Sequence, residues 1–247
     1  MIDNFVTIQN TNFKKEYIDG FKKGIPICLG YISVSITFGM LAIKGGMNVF
    51  TAVLISATNL TSAGQFAGIG LIFSKASYFE LALTTLIINI RYMLMSLSLS
   101  QKLHKSMSIL DKLLISFGIT DEIFAVASLE EKKITTSYML GLITLPFIGW
   151  VGGTFIGAIA SSFLPDIVQD SLGIAIYGMF IALIIPPSRK SKAITFVVIL
   201  SVIFSCCLYY LPLLNKISQG FAIIISSLLA AMLGAYFFPI KDKEDIN

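Results

Sequence analysis

Residues 78–99 read YFELALTTLIINIRYMLMSLSL, an apolar run long enough to cross a bilayer that nevertheless carries an arginine at position 91. Asn89 precedes Arg91 by two positions, and no acidic residue lies within ten positions of it. A guanidinium stays charged at any physiological pH, and placing it at the bilayer centre costs about 3 kcal/mol on insertion scales. Arg91 therefore needs a carboxylate, a water-filled cavity or an anionic ligand within the membrane.

The composition of the chain is that of a multi-pass membrane protein. Hydrophobic residues make up 55% of the 247 residues and charged residues 13%, whereas soluble chains average about 25% charged. We expect one transmembrane domain at 24–238 between cytoplasmic tails at 1–23 and 239–247; the first tail lacks the pattern of a cleaved signal peptide. The lysines that give the net charge of +4 fall between the apolar runs, so the charge indicates membrane topology and not nucleic-acid binding. The predicted location is the cell membrane.

Six apolar runs predict full transmembrane helices. They are 24–43, 78–99, 136–161, 171–187, 193–212 and 217–238. Two further runs, 49–73 and 113–129, are interrupted by polar residues near their centres. Polar groups and irregular backbone at membrane depth persist only where protein buries them or they line a wet cavity. The sequence therefore predicts an all-α protein with six full spans and two broken or re-entrant segments, or alternatively eight spans.

The distribution of lysine and arginine favours the re-entrant scheme slightly. If 49–73 and 113–129 each enter the membrane and return, the lysine-bearing loop at 100–112 moves to the cytoplasmic side. Cytoplasmic loops carry the excess of Lys and Arg in membrane proteins. Both schemes place both termini inside.

The acidic partner expected for Arg91 is Asp121. Asp121 and Glu122 both interrupt the run at 113–129, but adjacent residues point about 100° apart on a helix, so only one should meet the arginine. Asn89 lies about 200° from Arg91 and shares its site only if the helix is irregular there. Ionisable residues inside a span are candidates for a substrate or ion pathway. The alternative is an ion pair that only fixes helix register.

Neutral polar residues complete the candidate site. The interrupted run at 49–73 contributes Asn59 and Gln65 as hydrogen-bonding groups. The three cysteines and the single histidine lack the spacing of a metal or disulfide site, so no metal or cofactor is expected. Gly149, Gly153 and Gly157 are spaced by four and predict a close helix contact, either within the chain or with a partner subunit.

Several motifs, in order along the chain, are similar to those of one transporter family. They are Gly24-Ile25-Pro26 with Gly30 and Phe38-Gly39, Gln65-Phe66, Asn89-Ile90-Arg91-Tyr92-Met93-Leu94-Met95-Ser96 and Thr120-Asp121-Glu122-Ile123-Phe124-Ala125. In these the chain resembles the AzlC family of branched-chain amino-acid exporters, the large subunits of two-protein permeases. One departure is Ser62, where the family usually carries glycine.

The resemblance implies export of leucine, isoleucine or valine, driven by the proton-motive force, together with a small membrane subunit of the AzlD type. It implies a transporter and not an enzyme. Two other readings remain: a non-transporting scaffold subunit, and an intramembrane enzyme that uses Asp121 and Glu122 with His104 as acid and base.

Overall fold

The computed structural model describes residues 2–105, 107–165, 167, 178, 181, 184–212, 214 and 216–239, with side chains from residue 13 onward. The described part is helical and contains no strand, apart from an isolated β-bridge between Leu103 and Ile134. The prediction of an all-α fold is confirmed. Its helices include α1 Ile2–Lys44, α2 Val49–Thr58, α3 Ala63–Phe73, α4 Tyr78–Ser100, α5 Ile109–Phe117, α6 Asp121–Ser128, α7 Thr136–Ala160, α8 Lys192–Tyr210 and α9 Gln219–Phe237.

Five of these helices are long and apolar enough to cross a membrane. They are α4, α7, α8, α9 and the part of α1 from Phe13 to Lys44. They correspond to five of the six predicted full spans; the sixth, 171–187, falls largely outside the described residues. The first helix begins earlier than predicted, because residues before 24 continue α1 and pack on α7, where the Tyr17 hydroxyl donates to Thr144 Oγ1 at 3.0 Å.

The two interrupted runs each fold as a pair of short helices. Helices α2 and α3 have 10 and 11 residues, and α5 and α6 have 9 and 8. At 1.5 Å per residue each is about half the length needed to cross the hydrocarbon core. The breaks lie at 59–62 and 118–120, where the sequence contains the polar residues that interrupt each run.

The chain divides into two compact units. Unit 1 comprises Met1–Phe66 and Ile88–Ala175, and unit 2 comprises Ala67–Ile87 and Ile176–Asn247. Helices α3 and α4 each contribute residues to both.

Helices α1 and α7 form the central contact of unit 1. They run parallel, and glycines let their backbones approach closely: a β-carbon at Gly149 would lie 2.7 Å from Cys28 Sγ, and one at Gly24 would lie 2.8 Å from the Leu142 carbonyl oxygen. Gly153 and Gly157 face α1 in the same way. Of the two predicted roles for this glycine ladder, packing within the chain is therefore the one observed.

The segment after α4 and the segment before α7 meet beside the middle of α1. Residues that follow α4 pair with the segment before α7, where the His104 amide donates to the Ile134 carbonyl at 2.8 Å and the Ile134 amide donates to Lys102 at 3.0 Å. Lys23 of α1 forms an ion pair with Glu130 at 2.6 Å. Burial opposes ionisation of Glu130, but hydrogen bonds from Lys23 and Tyr138 outweigh it and lower the pKa of this carboxyl.

In unit 2 the N-terminal ends of α4 and α9 lie together. The Glu80 carboxylate accepts a hydrogen bond from the Gly220 amide at 2.9 Å. Gly68 of α3 packs against Leu81 and Thr85 of α4. Phe196 of α8 contacts the ring of Phe237 at 5.6 Å between centroids.

Candidate functional site

The ion pair expected for the membrane arginine is present. Arg91 Nη2 lies 3.0 Å from Asp121 Oδ2, and the two side chains are 41% and 35% exposed. The same guanidinium donates to the Tyr92 hydroxyl at 3.2 Å, and that hydroxyl donates to the Thr61 carbonyl at 3.2 Å. One turn of α4 thus touches both breaks, at Thr61 through Tyr92 and at Asp121 through Arg91.

The break between α5 and α6 determines the position of Asp121. Helix α5 ends at Phe117, and Thr120 then serves as the N-cap of α6, its side chain accepting from the Ile123 amide at 3.3 Å. Asp121 and Glu122 therefore occupy the first turn of α6, where the partial positive charge of the helix end stabilises carboxylates.

Glu122 points away from the arginine. Its Oε2 atom accepts a hydrogen bond from the Tyr31 hydroxyl at 2.7 Å, and that hydroxyl also lies 2.5 Å from Thr120 Oγ1. The Tyr31 ring packs edge-on against Trp150, with centroids 5.3 Å apart. The angle between neighbouring helix residues accounts for the division: Asp121 meets α4, and Glu122 meets α1.

Asn89 does not join the ion pair. Helix α4 is uninterrupted here, so Asn89 leaves it on a different face and packs against the α2–α3 break, where a β-carbon at Gly64 would lie 2.5 Å from Asn89 Oδ1. Asn89 Oδ1 and Arg91 Nε are both buried without a hydrogen-bond partner among the described residues. Buried polar atoms are nearly always paired, so these two atoms are unsatisfied groups on different faces of α4.

Gln65 has a different setting from the one predicted. It is buried, its Nε2 donates to Ser56 Oγ at 2.6 Å, and its Oε1 accepts from Trp150 Nε1 at 3.0 Å. Ser56 in turn bonds Thr154 of α7 at 2.7 Å. These bonds occupy both ends of the Gln65 amide and hold the start of α3 to α2 and α7.

Asn59 is also engaged locally. Its Oδ1 accepts from Thr61 Oγ1 at 2.6 Å, within the break itself. In the described part of the chain, no hydrogen bond joins Asn59 or Gln65 to the Arg91–Asp121 pair. Of the six predicted residues, the structure thus brings Arg91 and Asp121 into contact, sets Glu122 beside them on Tyr31, and places Asn89, Asn59 and Gln65 around the α2–α3 break.

The departure from the family pattern at Ser62 has a conformational consequence. Ser62 has a φ of 42°, in the left-handed region. An L-residue there costs roughly 1–2 kcal/mol, and glycine adopts the conformation readily. The α2–α3 break of this chain therefore carries strain at the position where glycine is usual in the family.

Three residues that contact the predicted site residues were not themselves predicted from the sequence. They are Tyr92, which the sequence predicts only as part of a motif, and Trp150 and Tyr31, for which no local pattern indicates a role in the site. Aromatic residues are common in apolar runs, and their hydroxyl or indole partners lie far away in sequence. Only the packing of α1, α4 and α7 around the two breaks brings them to the site.

Comparison with known proteins identifies the family. The family model described as AzlC protein matches residues 26–164, more than half of the chain and all of the segment that contains the site. The chain belongs to the AzlC family. The predicted resemblance is therefore confirmed.

Relatives of this AzlC-family protein are also membrane proteins. The inner membrane protein YgaZ of Escherichia coli is 25% identical over 235 residues, which cover 92% of this chain and 94% of YgaZ. A membrane protein of Archaeoglobus fulgidus is 34% identical over 174 residues, 67% of this chain and 75% of its own length. A membrane protein of Helicobacter pylori is 29% identical over 154 residues, 61% of this chain and 67% of its own. No solved structure matches the chain. The family and the apolar helices together support a membrane protein of transporter type.

Proposed function

We propose that this AzlC-family protein exports branched-chain amino acids, namely leucine, isoleucine and valine, across the cell membrane. The observation that carries the proposal is the Arg91–Asp121 ion pair, which is formed beside the breaks of two short helix pairs and is only partly covered. Discontinuous helices that meet beside buried charges are the usual setting of transporter substrate sites.

A zwitterion suits this pair electrostatically. The carboxylate of the zwitterion can accept hydrogen bonds from Arg91, including one from Nε, which has no partner among the described residues. Its ammonium group is bound by Asp121. Each protein charge then exchanges its partner for the opposite charge of the substrate. No charge is left bare in the membrane during the exchange, which avoids the cost of an unpaired buried ion.

The apolar surroundings of the two breaks suit a branched aliphatic side chain. Leu60 from the first break and Ile119 from the second belong to the same buried hydrophobic cluster of unit 1, together with Ile123 of α6. Burying one methylene of a substrate contributes about 0.8 kcal/mol, so a four-carbon side chain gains considerably over alanine.

The family resemblance supports two further parts of the proposal. Export is driven by the proton-motive force, and a small AzlD-type membrane subunit is needed for it. The direct test is transport of labelled leucine or valine in inverted vesicles with an imposed pH gradient, with and without the partner subunit. We expect labelled leucine to accumulate only when the pH gradient and the partner subunit are both present. Unlabelled alanine should compete poorly with it. Absence of transport and of counter-flow under all these conditions would leave the scaffold reading in its place.

We further propose that α2–α3 and α5–α6 are re-entrant hairpins that enter the membrane from opposite sides, with both termini cytoplasmic. Eight full spans would put Leu103 and Ile134 on opposite sides of the membrane, yet the two residues form a β-bridge. Eight spans would also begin α4 and α9 on opposite sides, whereas Glu80 and Gly220 are hydrogen-bonded. Both contacts support the re-entrant scheme, in which the breaks meet at mid-membrane beside Arg91.

A cysteine at position 105 tests this topology. In a background without Cys28, Cys206 and Cys207, we expect Lys105→Cys to react with an impermeant thiol reagent only in inverted vesicles, because the re-entrant scheme puts its loop in the cytoplasm. The control is Gly45→Cys in the exposed α1–α2 loop, which should react only in intact cells. Reaction of both variants from the same side would establish eight spans instead.

A further inference from the structure

Unit 1 contains an open cleft between the first half of α1 and the segment before α7. Its volume is about 760 Å³, which is within the range of ligand-binding pockets. Its lining includes none of the residues of the proposed substrate site. Lysines stand on both walls: Lys14, Lys15 and Lys22 on α1, and Lys132 and Lys133 in the segment before α7. The cleft is therefore a second place in the chain where charged side chains converge.

The acidic side chains of the cleft are already engaged within the protein. Glu16 of α1 accepts a hydrogen bond from the Thr135 hydroxyl on the opposite wall at 2.6 Å. Glu130 pairs with Lys23 at 2.6 Å, and the same lysine lies 3.5 Å from Asp19. One lysine thus bridges two of the three carboxylates, and the third carboxylate is hydrogen-bonded across the cleft.

Most lysines of the cleft have no acidic partner. Four of them are exposed and form no ion pair or hydrogen bond in the part of the chain whose side chains the structure describes: Lys14, Lys15, Lys22 and Lys132. Lys133 donates to a neutral group, the Gln101 carbonyl, at 2.9 Å. With Lys23 included, six lysines face three carboxylates, a formal charge of +3. This excess of positive charge favours an anionic ligand.

The cleft lies where α1 leaves the apolar layer of the membrane. The apolar part of α1, from Phe13 to Lys44, has 32 residues. At 1.5 Å per residue it is about 48 Å long, whereas the hydrocarbon core is about 30 Å thick. Between Lys23 and Lys44 the helix contains no charged residue, so this part crosses the core. The lysines that precede Gly24 are therefore at the level of the lipid headgroups.

An exposed apolar stripe continues from the cleft along the same face of α1. Ile18 lines the cleft one turn from Lys14 and one turn from Lys22. Ile18, Ile25 and Leu29 are all exposed, and their spacing through Lys22 is three or four residues, which places them on one side of a helix. Cationic groups at the membrane surface with apolar side chains deeper in the bilayer match the two parts of a phospholipid.

We propose that this cleft binds the headgroup of an anionic phospholipid. The phosphate anion lies between Lys22 on one wall and Lys132 on the other, and an acyl chain follows Ile25 and Leu29 into the bilayer. Basic pockets between transmembrane helices are a known type of site for anionic headgroups. The bound lipid links α1 to the segment before α7, the two elements that Lys23 already joins through Glu130, so it stabilises the protein.

The test measures lipid binding to the full-length protein in neutral detergent by native mass spectrometry. Phosphatidylglycerol is compared with phosphatidylcholine of the same acyl chains, and we expect the wild type to bind phosphatidylglycerol more tightly. Lys22→Gln combined with Lys132→Gln should weaken that binding roughly 30-fold, because each lysine near an anionic surface contributes about fivefold. The matched control is Lys105→Gln combined with Lys112→Gln, which removes two exposed lysines outside the cleft and should keep the wild-type affinity.

Melting temperatures separate a lipid from a soluble phosphate ester. Without lipid, both double variants should melt with the wild type, because the replaced side chains are exposed. Phosphatidylglycerol should raise the melting temperature of the wild type and the control only, and glycerol 3-phosphate at the same concentration should leave all three unchanged. An equal effect of glycerol 3-phosphate would assign the cleft to a soluble phosphate ester and overturn the lipid site. Equal binding of the two lipids by the wild type, or equal losses in the two double variants, would also overturn it. Leucine export enters none of these measurements, so their outcome is independent of the proposed function.

Discussion

Replacing Arg91 with glutamine should lower the apparent affinity for leucine roughly 10- to 100-fold, because each lost hydrogen bond to a charged group costs about 1.5–3 kcal/mol. The variant should still insert, since glutamine removes a charge from the membrane and adds none. The measurement is efflux of labelled leucine at several concentrations, normalised to the amount of protein in the membrane. Wild-type efflux from a well-expressed Arg91→Gln variant would remove this residue from the site.

A double variant decides whether Arg91 binds substrate or only pairs with Asp121. Arg91→Gln alone leaves the Asp121 carboxylate without its 3.0 Å partner, so part of its defect could come from an unpaired acid. In Arg91→Gln combined with Asp121→Asn, no charge remains unpaired, and we expect thermal stability close to that of the wild type. The apparent affinity for leucine should stay at least as low as in Arg91→Gln if both residues contact the zwitterion. Recovery of transport in the double variant would establish a purely structural ion pair.

Gly157→Ala should destabilise the protein by about 1–3 kcal/mol or more, the usual cost of overpacking a close contact. A β-carbon at position 157 would overlap the backbone of Ile36 on α1, and backbone cannot move aside as a flexible side chain can. The measurement is the melting temperature in detergent, together with the fraction of protein that stays monodisperse on heating.

The matched control lies on the same helix. A β-carbon at Gly152 meets nothing within 4 Å, so Gly152→Ala should be neutral or stabilising, by up to about 1 kcal/mol, because alanine is the better helix former. Equal melting temperatures for the two variants would contradict the close packing of α1 on α7 and would return the glycine ladder to the alternative of subunit docking.

The fold was largely predictable because hydrophobic length and polar interruption are local properties of the sequence. The runs at 49–73 and 113–129 were identified as broken from their polar centres, and the structure divides each into two short helices. The extension of α1 toward the N-terminus was not predictable from hydropathy. Its polar residues are tolerated because Gly20 and Tyr17 pack on α7, a contact between segments far apart in sequence.

The candidate site was predictable only where helix geometry limited the choice. The angle between neighbours predicted that only one of Asp121 and Glu122 would meet Arg91, and the same geometry kept Asn89 away from Arg91. Gln65 and Asn59 were identified by residue type alone, and type does not reveal whether an amide is already satisfied. Trp150 and Ser56 occupy Gln65, and Thr61 occupies Asn59.

The sequence by itself determined that this is a membrane protein of the AzlC family and that Arg91 must find a partner, because the cost of a permanent charge in an apolar run does not depend on how the helices pack. Only the tertiary structure decided which groups are satisfied. Hydrogen bonds and ion pairs depend on distances of a few ångströms between elements far apart in the chain. That is why Arg91 meets Asp121 in a partly exposed pair and why Gln65 is bound to Ser56 and Trp150.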